Sequence, residues 1–281
     1  MAPSHTMPVT AFAIRSALGE LSLSGRALCV HSSLRTFGHV EGGADTVVSA
    51  LLAEGCTVLV PTFSYGFGIA PPPGSRPAQN GWDYGKKVES PGAGRLFVSA
   101  TNEVDADMGV VPAAVLARAN RARGRHPLDS FAGLGPLADA LVSGQTPLDV
   151  YAPLRALASV GGWIVLMGVG LERLTLLHAA EQRAGRRLFR RWANGLGGPE
   201  EVECGGCSEG FGSLEPALSS LARRARVGAS PWVAYPAAET LDAAAAAIRA
   251  DPEITRCGRS GCDGCADAVA GGPLCAAQLG S

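Results

Sequence analysis

The chain is expected to adopt an α/β fold, on three observations. Residues 28–30, 57–60 and 163–167 are short apolar runs with the length of buried strands. Each is followed by a Gly, Pro or Ser punctuation, and the first and third then lead to a helical pattern. The first two, with the helix between them, form a strand–loop–helix–strand unit typical of layered α/β domains.

The elements follow in order. Residues 9–21 read as an amphipathic helix. The run 28–30 opens into His31-Ser32-Ser33-Leu34. Gly42-Gly43-Ala44-Asp45 starts a second helix whose buried stripe is Val47, Val48, Leu51 and Leu52. The strand 57–60 stops at Pro61, because proline restricts the residue before it and lacks an N–H. Residues 66–95 are rich in Gly and Pro and predict a long surface excursion. Helices are expected over 108–121, 134–141, 153–158 and 176–187, with the strand 163–167 ending at Gly168-Val169-Gly170. After about residue 195 the chain turns Gly- and Cys-rich, and helices are expected over 214–224 and 238–249. The expected division is an α/β catalytic core over 1–200 and a helical, cysteine-rich region over 201–281 packed on it.

Composition narrows the function classes. The chain has 281 residues, 47% hydrophobic and 17% charged, which argues for a packed core and against disorder. A formal net charge of -1 offers no basic field for nucleic acid or an anionic membrane. Basic runs at 118–125 and 183–191 read first as solvated faces, and second as contacts to a phosphate-bearing cofactor. The apolar stretches are too short to span a membrane. The opening residues lack a basic-then-apolar leader pattern, so a cytoplasmic location is expected. There, eight cysteines are not expected to form four disulfides.

Two histidine motifs carry the chemistry. The first is Arg125-His126-Pro127-Leu128-Asp129-Ser130-Phe131 and the second Leu177-His178-Ala179-Ala180-Glu181. Pro127 biases His126 toward extended backbone, so it sits on a loop or strand end, either bracing that loop or aligning a substrate. His178 follows a strand and a Gly-rich turn, where open α/β folds place ligands. On a helix, His178 and Glu181 share a face, and a carboxylate beside an imidazole fixes its tautomer for proton abstraction near pH 7. Asp129 and Glu172 are further carboxylates suited to a cationic substrate. Neither a Walker loop, a dinucleotide fingerprint nor a G-x-S-x-G elbow is present.

These motifs resemble the aminoglycoside 3-N-acetyltransferase family. The resemblance also draws on His31-Ser32-Ser33-Leu34, Val60-Pro61-Thr62-Phe63-Ser64-Tyr65, Met108-Gly109-Val110-Val111-Pro112, Arg123-Gly124 and Gly168-Val169, in order across about residues 8–235. It implies a mixed central sheet flanked by helices, distinct from the GNAT acetyltransferase fold. It implies acetyl transfer from acetyl-CoA to an amino group of an aminoglycoside or related amine, as a direct step in a ternary complex. His178 would be the base and Glu181 would shape the amine side. His126 would either contact CoA or assist the base. His31, Ser32, Ser33, Leu34, Arg123, Ser130 and Phe131 would line the CoA side. The implied partners are coenzyme A and an amine-bearing small molecule, with a homodimer left open.

The C-terminal third departs from this pattern. Cys204-x2-Cys207 and Cys262-x2-Cys265 have the spacing of a four-thiolate structural zinc site, and Cys257 or Cys275 can replace one ligand. Two other readings are a zinc-dependent amidase or hydrolase, which needs His126, His178 and a carboxylate on one metal, and a non-catalytic zinc-bearing binding protein on the same scaffold.

Overall fold

In the computed structural model, residues 7–85 and 90–272 are described. Thr10 caps α1 (Ala11–Glu20), its hydroxyl accepting from the Ala13 N–H. The chain then enters β1 (Ala27–Ser32), crosses by α2 (Gly43–Ala53) and returns as β2 (Thr57–Pro61). β1 and β2 pair in parallel, as the strand–helix–strand pattern requires. The excursion that follows contributes β3 (Gly68–Ile69) and then α3 (Val110–Leu116). Next come β4 (Ala122–Arg123), β5 (Phe131–Leu134), α4 (Ala138–Val142), α5 (Ala152–Ser159) and β6 (Trp163–Met167). α6 (Leu176–Arg183) leads into a hairpin of β7 (Phe189–Gly195) and β8 (Gly198–Cys204). A short α7 (Glu215–Leu218), a second hairpin of β9 (Arg223–Val227) and β10 (Ser230–Pro236), α8 (Ala237–Ala250) and α9 (Asp263–Val269) complete the order.

Seven strands form a mixed sheet in the order β4-β5-β2-β1-β6-β10-β9. Its centre, β2-β1-β6, is parallel, and β5 and β10 flank it antiparallel. Buried on both faces, these central strands read as unbroken apolar runs. Alternation along β1 sends Leu28 and Val30 to one core with α1, α2 and α3, and Cys29 to the other with α4, α5, α6 and α8. A second sheet, β3-β7-β8, stands beside it.

Several elements differ from expectation. The helix expected over 108–121 is confined to α3, and the one over 134–141 splits into the end of β5 and α4. The stretch 214–224 is α7, a 3-10 turn and the start of β9. The segment past residue 200, read as helical, also supplies β9 and β10, and β10 pairs with β6 along Trp163–Met167. The excursion 66–95 is partly structural: Phe67 packs with Phe97, and Asn80 is buried with its amide bonded to the β7 backbone. Among the described residues no helix is long and apolar enough to cross a membrane.

Candidate active site

A cleft of about 1500 Å³ opens over the carboxyl ends of β1, β2 and β6. That is where parallel strands leave their connecting loops free to diverge. His31, Ser32, Ser33 and Leu34 line one wall from the end of β1, and Gly168 to Gly170 with Glu172 to Thr175 line another from the end of β6. His178, on the first turn of α6, faces the same space with Tyr151, Asp129 and the Cys204-Gly205-Gly206 segment.

His178 is held from three sides. Its Nδ1 lies 2.8 Å from Glu181 Oε2, the i,i+3 contact expected of a helix. The other carboxylate oxygen, Oε1, accepts from Arg186 Nη1 at 2.5 Å, and Arg186 is itself tied to Thr255 and to the Pro252 carbonyl. Tyr151 stacks on the imidazole at 6.0 Å and 9°, and Phe211 meets it edge-on at 4.7 Å. Gly205 closes the fourth side: a Cβ there would sit 2.5 Å from Tyr151 Oη and 2.7 Å from the His178 ring, so only glycine fits. With Nδ1–H committed to Glu181, the lone pair on Nε2 is the basic site, and it takes no hydrogen bond from the described residues.

The other motif serves the fold. His126 is fully buried; Nδ1 accepts the N–H groups of Leu128 (3.2 Å) and Asp129 (2.7 Å). Nε2 must then carry the proton, and it donates to the Glu203 carbonyl at 2.7 Å. No nitrogen remains for substrate, and His126 does not line the cleft. Burial pushes its pKa down to about 4. Arg123, expected on the CoA side, is spent on Ser130 Oγ and on the carbonyls of Thr101, Thr62 and Glu103. Ser130 donates to the Thr62 carbonyl and Phe131 lies in the core. The cluster Arg123, His126, Ser130 and Phe131 therefore braces the start of β5 behind the cleft wall.

His31 does line the cleft, but burial pushes its pKa down to about 4 and its Nε2 is 3.7 Å from Cys29 Sγ. Glu172 borders the cleft as expected, joined by Asp107, while Asp45 is paired with Arg118 on the surface. Four functional neighbours escaped the sequence reading: Tyr151, Arg186, Gly205 and Phe211. Only Arg186 carried a signal, as a member of the basic run 183–191, and it is a buried partner of Glu181, not a solvated face.

The cysteines divide differently from their spacing. Cys207, Cys257, Cys262 and Cys265 place their sulfurs within 4.8 Å of one another. Cys204 is not among them. It lines the cleft instead, where burial pushes its thiol up to about 12. Cys257 takes its place, and Cys275 lies outside the described residues. The Cys257 N–H donates to Cys265 Sγ at 3.3 Å, and Arg259 reaches Cys207 Sγ at 3.8 Å. Four soft donors so close suit a tetrahedral Zn–S₄ site, whose edges measure about 3.8 Å.

The sequence model of the aminoglycoside 3-N-acetyltransferase family matches residues 29–249. The chain belongs to this family. It is 34% identical over 184 residues to aminoglycoside N(3)-acetyltransferase VII of Streptomyces paromomycinus, covering 63% of this chain and 62% of that one. It is 33% identical over 191 residues to aminoglycoside N(3)-acetyltransferase IX of Micromonospora chalcea, covering 65% of each. The matched region thus spans less than two thirds of these relatives' lengths. Among solved structures, the aminoglycoside acetyltransferase AAC(3)-IVa apoenzyme superposes with a TM-score of 0.74 at 24% identity, over 95% of this chain and 99% of that one. AAC-IIIb in its binary complex with CoASH gives 0.70 at 23%, over 87% and 97%. The fold is the non-GNAT arrangement of these proteins.

Proposed function

We propose that the chain is a CoA-dependent N-acetyltransferase for an amino group of an aminoglycoside or a related amine. The observation that carries this reading is the His178–Glu181 pair, with Nδ1 engaged, Nε2 left without a hydrogen bond among the described residues, and His178 lining a cleft of about 1500 Å³. An ammonium is not a nucleophile, so one proton must leave before attack. That first proton is lost to solvent, and Nε2 of His178 takes a second one as the neutral amine nitrogen attacks the thioester carbonyl. The tetrahedral intermediate collapses with cleavage of the C–S bond, and the imidazolium returns its proton to the departing CoA thiolate. Glu181, oriented by Arg186, stabilises the transient imidazolium. Arg35 and Arg173 are exposed at the mouth of the cleft and make no ion pair among the described residues, so they are placed to receive CoA phosphates.

Direct transfer is favoured over an acyl-enzyme. Cys204 is the cysteine lining the cleft, and a thiol pushed up to about 12 supplies almost no thiolate at neutral pH. A zinc amidase is disfavoured, because both nitrogens of His126 are committed to backbone. The structural zinc site belongs to the proposal in its corrected form, Cys207, Cys257, Cys262 and Cys265. Such a site would clamp α9 to the loop after β8, two residues from Gly205.

Thiol release from acetyl-CoA should require both the protein and an amine. Absence of release across a panel of aminoglycosides and simpler amines would overturn the reading. Purified protein should carry about one zinc per chain, and Cys262→Ser should lower both metal content and Tm; unchanged metal content would remove the zinc site.

A further inference from the structure

Among the described residues, Asp129 is the buried carboxylate of the cleft without a partner of its own. It is 4% exposed, yet Oδ1 has no hydrogen-bond partner, and the side chain enters no ion pair. Its backbone, by contrast, is rigidly held: the N–H by His126 Nδ1 and the carbonyl by Gln145 Nε2 at 2.9 Å. An isolated carboxylate in such a place is costly to ionise. The charged and titratable groups facing it are Arg191 from β7, Asp105 before α3, Cys204 at the end of β8, Tyr65 after β2 and Tyr151 at the start of α5. Tyr151 is also the ring stacked on His178, and Asp129, Tyr151 and His178 line the same cleft.

We propose that Asp129 is the receptor for a second, non-reacting ammonium of a polycationic acceptor, and that it sheds a proton when that ammonium binds. The idea rests on the function proposed above. The balance is simple: the neutral carboxylic acid and the ammonium give a carboxylate–ammonium pair and one proton released to solvent. Burial pushes the free Asp129 carboxyl up to about 7, helped by Asp105 and opposed by Arg191. The empty site therefore avoids a naked buried charge, and the incoming cation supplies the partner that makes ionisation favourable. The reacting nitrogen cannot occupy this position, because it must reach Nε2 of His178 as a neutral amine. The pair would select acceptors with a second cation at the right spacing and leave monoamines unaided.

Isothermal titration calorimetry with gentamicin, run in buffers of different ionisation enthalpy, reads the proton count without any turnover. The wild type should release close to one more proton on binding at pH 6 than at pH 8.5. Asp129→Asn should remove that difference. In steady state the variant should raise KM for gentamicin at least tenfold, with KM for acetyl-CoA within twofold and little change for glucosamine, a monoamine. Its Tm at pH 8 should match or exceed the wild type, since an unpaired buried charge is gone. A pH-independent proton count in the wild type, no gentamicin binding, or a KM effect on acetyl-CoA in place of the acceptor would each overturn the proposal. Failure of the underlying function would appear separately, as no thiol release by the wild type with any amine.

Discussion

Both ring nitrogens of His126 are consumed by backbone: two N–H groups at Nδ1 and the Glu203 carbonyl at Nε2. His178 is nearly as buried, but its Nδ1 meets a side-chain carboxylate, its Nε2 takes no hydrogen bond from the described residues, and it lines the cleft. The two motifs look alike in sequence, a histidine with an acidic residue three positions on. Geometry separates them. At His178 the helix turns Glu181 back onto the ring. At His126 the loop turns the Asp129 N–H back onto the ring and sends the Asp129 carboxyl elsewhere. An imidazole becomes available for proton transfer only when one nitrogen is left over after the structure has been satisfied.

That contrast is sharpest at His178 itself. His178→Ala should lower kcat of acetyl transfer by about 10²–10⁴-fold, the usual worth of a positioned base, while the melting curve stays cooperative. Turnover within tenfold of wild type would break the distinction between the two histidines. The next effect tests the enclosure of the ring and leaves its chemistry alone. Gly205→Ala inserts a methyl 2.7 Å from the imidazole and 2.5 Å from Tyr151 Oη, and the ring must move. A displacement near 1 Å can cost about 10²-fold in rate. The loss should fall on kcat, and any metal content should be unchanged, because Gly205 is not among the residues of the proposed zinc site. An unimpaired Gly205→Ala variant would mean that the loop yields and that His178 is not held by it.

The sequence was legible where physics is local. The runs in β1, β2 and β6 are apolar because both faces are covered, and the Glu181 spacing follows from helical pitch. Hairpin strands were harder. β9 is Arg223-Arg224-Ala225-Arg226-Val227, an edge strand with mostly exposed side chains, and it resembles a polar helix turn until β10 pairs with it. β7 begins Phe189-Arg190-Arg191, and its arginines work through contacts distant in sequence: Arg191 stacks on Trp82 at 4.9 Å. The cysteine pairing failed for a similar reason. C-x2-C spacing suggests two ligands, but Cys204 lines the cleft while Cys207 joins the thiol cluster. Asp129 carried a weak signal as an acidic residue near a motif; that its carboxyl lacks a partner emerges only from the packed structure.

The smallest effect on turnover belongs to His126. His126→Ala should leave kcat within a few-fold of wild type and lower stability by about 1–3 kcal/mol for each buried group left unpaired. Its pH dependence gives a second handle. Folded His126 is held neutral down to about 4, while the unfolded ring titrates at its ordinary 6.5. Between those values the unfolded chain binds a proton that the folded chain refuses. The stability is therefore complete above pH 6.5 and is lost as the pH falls toward 4, by about 3 kcal/mol at the lower end. His31 behaves alike, with a pKa pushed down to about 4. Asp129 runs the other way: held protonated up to about 7 in the fold, it costs stability as the pH rises from about 4. Denaturant melts of wild type and His126→Ala between pH 4 and 7 should then differ in slope, the variant losing less stability on acidification. Parallel slopes would show that the ring takes up its proton inside the fold, and the division of labour between the two histidines would have to be redrawn.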